Sequence, residues 1–425
     1  MDFLTLPEAR PLRLTDLTAP GCLVGSDAET VPIALTLDGE RLSEAPPAAE
    51  VSMRGAMVFP AFTDMHTHLD KGQIWARRPN PTGRFMDALE AVELDRTTLW
   101  SAEDVRARAA FSLRCAYAHG TRAVRTHLDS IPPQDEISFP VFRELREAWR
   151  GRIDLQAVCL VVAENVDPDG GGRFLRTADI VAESGAVLGM VPQMLPDMKD
   201  RLRAFFRHAD ARGLPADFHV DETGDPAAAT LRMIAEVVLE TGFDAPVTVG
   251  HCCSLAVQPE AEALRTLDLV AKAGLNVVSL PMCNMYLQDR ALGRTPRWRG
   301  VTLVHEMKAR GIPVAFASDN TRDPFYAYGD MDMLEVMREA TRIAHLDHGV
   351  GDWPAAFTTT PAAICGFAAP SLAPGAPADL VITRARSFNE LFSRPQSDRI
   401  VIRAGRPIDR TLPDYAELDP LMRTA

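Results

Sequence analysis

"FPAFTDMHTHLDKGQ" runs from Phe59 to Gln73. An apolar, β-prone stretch that begins at Met57 leads into Asp64, His66 and His68. Side chains of an extended chain repeat every two residues, so His66 and His68 project to one side. Two imidazoles aimed at one point from the end of a buried strand suggest a metal. They also make this stretch the first strand of whatever fold the remaining chain builds.

Seven similar runs follow: Ala123–Thr126, Leu155–Val162, Ala186–Val191, Ala216–Val220, Val247–Val249, Leu275–Leu280 and Val314–Ala317. Amphipathic stretches lie between them, among them Ala102–His119, Phe139–Trp149, Asp197–Arg212, Ala227–Thr241, Pro259–Ala273 and Thr302–Arg310. Strand and helix in alternation predict a parallel sheet, and eight repeats predict an α/β fold of the (β/α)8, TIM-barrel type. Short β-rich segments sit at both ends of the chain: Cys22–Val24, Ile33–Leu37, Ala378–Ala385 and Asp398–Ile408. The expected organisation is a small β-sandwich from residues 1–56 and 373–425 around a barrel of residues 57–372.

The site of such a barrel is built at the C-terminal ends of its strands. Run one ends in Asp64, His66 and His68, and run two in His127 and Asp129. Run five ends in His219, Asp221 and Glu222, run six in His251, and run eight in Asp319 and Asn320. His66, His68, His219 and Asp319 would supply nitrogen-rich ligation for one divalent transition metal, Fe2+ or Zn2+. Glu222 is placed to move protons and His251 to stabilise developing charge. His127 is a candidate substrate contact or a supporting hydrogen-bonding group. Lys71 reads as a pocket residue. No lysine ends run four, where a two-metal version would place its bridging group, so one metal is favoured. His119, His208, His305, His345 and His348 are expected in solvent.

The 425 residues carry 45 basic and 58 acidic side chains, a net charge of −13. That balance argues against a nucleic-acid partner and suits an enzyme with a small-molecule substrate. No apolar run reaches the ~20 residues of a membrane span, and the N-terminus lacks the pattern of a signal peptide. The 7 cysteines are scattered, which predicts free thiols in a reducing cytoplasm.

The motifs "FTDMHTHLD" (62–70), "VRTHLD" (124–129), "HVDE" (219–222), "GHCCSL" (250–255), "LPMCNMYLQDR" (280–290), "ASDNTRDPFYAYGDMDML" (317–334) and "LAPGAPADLVI" (372–382) resemble the amidohydrolase superfamily. Within it they resemble the bacterial cytosine deaminase branch. The resemblance implies His66, His68, His219 and Asp319 as ligands of one Fe or Zn ion. It implies Glu222 as proton shuttle, His251 facing the substrate, and Asp319 taking a proton from the metal-bound water. The implied reaction is hydrolytic deamination of a small nitrogen heterocycle by metal-bound hydroxide, with cytosine or 5-methylcytosine the first expectation. Release of an alkylamine from an s-triazine of the N-isopropylammelide type, or opening of a cyclic amide, is the alternative. Homo-oligomers are frequent in the family. The other zinc deaminase fold, marked by H-x-E with P-C-x-x-C, has no counterpart here.

Departures from the branch bear on the substrate. Where cytosine deaminases carry a glutamine after the third strand, this chain offers Val162, with Glu164 or Asn165 as neighbours in a shifted register. Asn320 replaces an aspartate after the metal-binding aspartate, and Phe85 and Phe325 add aromatic bulk. Such changes act on the choice of ring and leave the metal chemistry intact.

Overall fold

A computed structural model describes residues 3–349 and 351–423. Eight parallel strands form one sheet in sequential order: Phe62–Thr67, Thr121–Asp129, Asp154–Val162, Leu188–Val191, Ala216–Val220, Val247–His251, Asn276–Ser279 and Val314–Phe316. The ring is drawn together where Thr67 bridges to Asp319 and the Asp319 N–H donates to the His66 carbonyl at 2.9 Å. The protein is a (β/α)8 barrel with a small β-sandwich attached.

The helices form for local reasons as well as by packing. The helix Ala102–His119 starts at Ser101, whose side chain accepts the Asp104 N–H, and carries Glu103 and Asp104 in its first turn. A serine cap of this kind contributes about 1 kcal/mol, and the two acids complement the helix dipole. The helix stops at Gly120, which has φ 100°. A Cβ there would meet Val381 Cγ2 at 2.4 Å, so the turn needs glycine both for its backbone and for its neighbour.

Two four-stranded sheets make the sandwich. One contains Leu12–Pro20, Thr30–Asp38, Arg41–Ser43 and Ala49–Ser52; the other contains Val58–Pro60, Leu380–Ile382, Ile400–Arg403 and Arg406–Pro407. The second sheet is a shared layer, and the two-residue period shows it. Val58, Leu380, Ile382, Ile400 and Ile402 face the sandwich core with Leu12, Leu14 and Leu37. Met57, Phe59, Val381 and Val401 face the core of the barrel and its helices. Val58–Pro60 and Leu380–Ile382 are buried on both faces, so these two strands are apolar throughout.

Three expectations need correction. The run Met57–Thr63 is not one barrel strand. It divides at Ala61 into the sandwich strand Val58–Pro60 and the barrel strand Phe62–Thr67, because Pro60 ends one ladder before the next begins. Cys22–Val24 is not a strand; Gly21–Leu23 is a 3-10 turn closing the strand Leu12–Pro20. His119 is likewise not in solvent. It is buried, with Nε2 2.8 Å from Asp330.

Candidate active site

The first, fifth, sixth and eighth strands deliver five polar side chains to one end of the barrel. His66, His68, His219, His251 and Asp319 are all buried. His66 and His219 lie on strands, and His251 is the last residue of its strand. His251 and Asp319 have φ of 67° and 64°, so the chain leaves the β conformation where each side chain must be re-aimed. Gly250 pairs with His219 across the sheet. A Cβ on it would lie 3.2 Å from His66 Cε1, and its absence lets the His66 ring fit.

Four ligand atoms converge. His66 Nε2 is 3.2 Å from His219 Nε2, which is 3.4 Å from His68 Nε2. Asp319 Oδ1 is 3.5 Å from His66 Nε2 and 3.2 Å from His68 Nε2. Donor atoms that share one ion at about 2.1 Å each lie within about 4.2 Å of one another. The four separations meet that limit. Neither Asp319 oxygen has a hydrogen-bond partner although the residue is buried, an expensive state unless a cation faces it. Burial, then the neighbouring imidazoles, push His66 and His219 well below the ordinary histidine pKa; burial and Lys71 do the same to His68. Neutral rings keep the lone pairs that a metal needs. Burial pushes Asp319 up to about 7, which a bound cation would reverse. The donor set fits a divalent metal ion.

Beneath the cluster, His127 stacks on His66 with ring centroids 3.9 Å apart, and its Nε2 is 3.2 Å from Asp217 Oδ1. His127 was a candidate substrate contact, but it does not line the cleft. It supports the ligand rings from below, with Asp217 also bonded to Arg125 at 3.0 Å. Asp64 fixes the approach to Asp319 by accepting from the Ser318 N–H at 3.1 Å and the Ser318 hydroxyl at 2.5 Å.

Above the cluster opens a cleft of about 500 Å³, lined by Val162, Phe85, Phe325, Asn320, Lys71 and Glu222 among others. Val162 faces it, whereas Glu164 and Asn165 belong to the 3-10 turn beyond and do not line it. Phe85 and Phe325 meet edge to face at 5.5 Å. The Asn320 amide donates to Asp323 at 2.7 Å and so is held in one orientation. Asp221 accepts from the Thr230 N–H, the Thr230 hydroxyl and the Leu231 N–H, which makes it an anchor for the helix Thr230–Thr241. In "HVDE" the aspartate therefore builds structure, and His219 and Glu222 face the site.

Asn284 has no precedent in the sequence reading. It sits in the short helix Pro281–Leu287, with its amide nitrogen 3.0 Å from Glu222 Oε1 and 2.9 Å from His251 Nδ1. Glu222 Oε1 and His251 Nδ1 are themselves 3.3 Å apart. Burial opposes charge on His251, but Glu222, with Asp319 and Asp217, more than offsets it and raises the imidazole's pKa above its ordinary value. The unpartnered Nε2 of His251 is buried. Gln193, on the loop after the fourth strand, also lines the cleft and was not foreseen.

The profile of the amidohydrolase family matches residues 165–409. Over 375 residues the chain is 58% identical to a pterin deaminase of Rhizobium rhizogenes, covering 88% of this chain and 85% of that protein. The chain belongs to the amidohydrolase family. It is thus a hydrolase of carbon–nitrogen bonds in a metal-dependent family. Its fold is shared with 5-methylcytosine deaminase from Klebsiella pneumoniae liganded with 5-fluorocytosine, at TM-score 0.78 and 24% identity over 95% of this chain and 98% of that one. It is shared also with an N-isopropylammelide isopropylaminohydrolase of Burkholderia multivorans, at TM-score 0.73 and 26% identity over 93% and 97%. The structure of this amidohydrolase brings His66, His68, His219, Asp319, Glu222 and His251 together.

Proposed function

We propose that the chain is a mononuclear metal-dependent aminohydrolase that removes the ring amino group of a pterin-type 2-amino-4-oxo heterocycle as ammonia. The observation that carries this reading is the 58% identity to a pterin deaminase, sustained over 88% of the chain. The geometry supports it. The largely apolar, aromatic-walled cleft of about 500 Å³ has room for a bicyclic ring. Cytosine, the first expectation, becomes the comparison substrate.

His66, His68, His219 and Asp319 would hold the metal, which when bound lowers the pKa of water and makes it a nucleophile near neutral pH. The remaining work falls to the chain. A carboxylate oxygen of Asp319 accepts a proton from the attacking water. Oε1 of Glu222 carries a proton to the ring nitrogen beside the reacting carbon, and later to the departing amine. One C–O bond forms, one C–N bond breaks, and water supplies the oxygen and the protons. His251 faces the reacting edge with Nε2, and Asn284 keeps it and Glu222 in register. Phe85 and Phe325, edge to face in the cleft wall, give the ring an apolar surface.

The test is product identity in 18O-labelled water. The reading expects one ammonia released per 2-amino-4-oxopteridine consumed, with one label atom in the ring. Ammonia without ring label, or no turnover by metal-loaded protein, would overturn it.

A further inference from the structure

Lys71 lies three residues beyond His68, 5% exposed, and reaches into the same cleft. Among the described residues lining that cleft it is the one lysine or arginine; Asp221, Glu222 and Asp225 are its acidic residues. Its Nζ is 2.9 Å from Asp129 Oδ1 and 5.1 Å from the centre of the Phe325 ring. An ammonium has three N–H donors. Asp129 takes one, and a buried donor left without a partner is costly.

The backbone on both sides of Lys71 is held. The Arg108 guanidinium, fully buried, donates to the carbonyls of Asp70 at 2.6 Å and Gly72 at 2.8 Å. Arg108 is itself fixed by Asp104, which also binds Arg77. The Gln73 N–H donates to the Thr321 carbonyl at 3.0 Å. A long, flexible side chain is thus given a fixed root, a fixed counter-ion and an aromatic neighbour. That arrangement sets the direction of the remaining N–H groups.

We infer that Lys71 is a specificity-determining residue that donates to the ring carbonyl oxygen of the substrate, which makes the chain selective for amino-oxo over amino-only heterocycles. The inference rests on the pteridine reading above and names what that reading leaves open. Asp129 is the counter-ion within hydrogen-bond distance of the ammonium, so Lys71 offers a directed N–H from a paired group. The acidic residues around the cleft disfavour an anionic substituent as the occupant. A neutral carbonyl oxygen accepts that N–H, whereas a ring C–H at the same place leaves it unpaired.

The experiment compares 2-amino-4-oxopteridine with 2-aminopteridine, which lacks the carbonyl, as substrates of metal-loaded wild-type protein and Lys71→Met. Ammonia release gives kcat/KM, and metal content is measured in parallel. The wild type should prefer the oxo ring, and Lys71→Met should lower that preference about 10- to 100-fold with metal retained. An equal fall on both rings would mean that Lys71 serves only the structure and would overturn the inference. An unchanged preference would overturn it as well. No ammonia from either ring with the wild type would be a failure of the pteridine reading, and would remove this inference with it.

Discussion

One amide holds two reactive groups: the Asn284 side-chain nitrogen lies 3.0 Å from Glu222 Oε1 and 2.9 Å from His251 Nδ1. The carboxylate and the imidazole are 3.3 Å apart. Gln288 adds a bond to the Glu222 carbonyl at 3.1 Å. The short helix Pro281–Leu287 therefore sets the geometry of the proton-handling pair, while the barrel strands set the geometry of the ligands.

Asn284→Ala removes that hold and touches no ligand. It should retain metal and lower kcat about 10-fold, the scale of a lost hydrogen bond to a charged group, with less effect on KM. Steady-state kinetics and metal analysis check it.

Glu222→Gln keeps the shape and loses the proton. Turnover should fall about 10²- to 10⁴-fold, the usual contribution of a positioned acid–base group, with metal content unchanged. Near wild-type turnover would remove Glu222 from its role.

His66→Ala and Asp319→Asn each remove one donor from a four-atom set. Both should lose metal and activity together. Chelation of the wild type should lower its melting temperature, because a ligand bound only to the folded state stabilises it. Differential scanning with and without chelator reads this directly.

Much of this site was legible because its chemistry sits at strand ends. His66, His68, His219, His251 and Asp319 each follow an apolar run, and eight runs give the barrel. Asn284 was not singled out: the motif "LPMCNMYLQDR" (280–290) contains it, but nothing in that stretch marks which of its side chains acts. His127 looked like a cleft residue by position, and only its contact with Asp217 shows that it faces inward. The split of Met57–Thr63 was hidden because both halves are buried and apolar, one in a sandwich layer and one in the barrel. Long-range ion pairs such as Arg399 with Asp332 leave no local pattern at all.

That last pair gives a pH test away from the site. Burial opposes the charge on Asp332, but Arg399 and then His119 more than offset it and hold its pKa far below the carboxylate range. A depressed carboxylate stabilises the fold above its unfolded pKa, and the stabilisation fades as pH falls below about 4. Asp332→Asn leaves the Arg399 charge buried and should cost about 3 to 5 kcal/mol at pH 7. The gap between variant and wild type should narrow below pH about 4. Denaturation curves at several pH values check the sign; a gap that widens in acid would contradict it.

The central claim is that this site deaminates a pterin-type ring. The most direct measurement is kcat/KM for ammonia release from 2-amino-4-oxopteridine and from cytosine, by metal-loaded wild-type and Glu222→Gln proteins in parallel. The account predicts release from the pteridine in clear preference to cytosine, and its near loss in Glu222→Gln. Preference for cytosine, or pteridine turnover that survives Glu222→Gln, would contradict it.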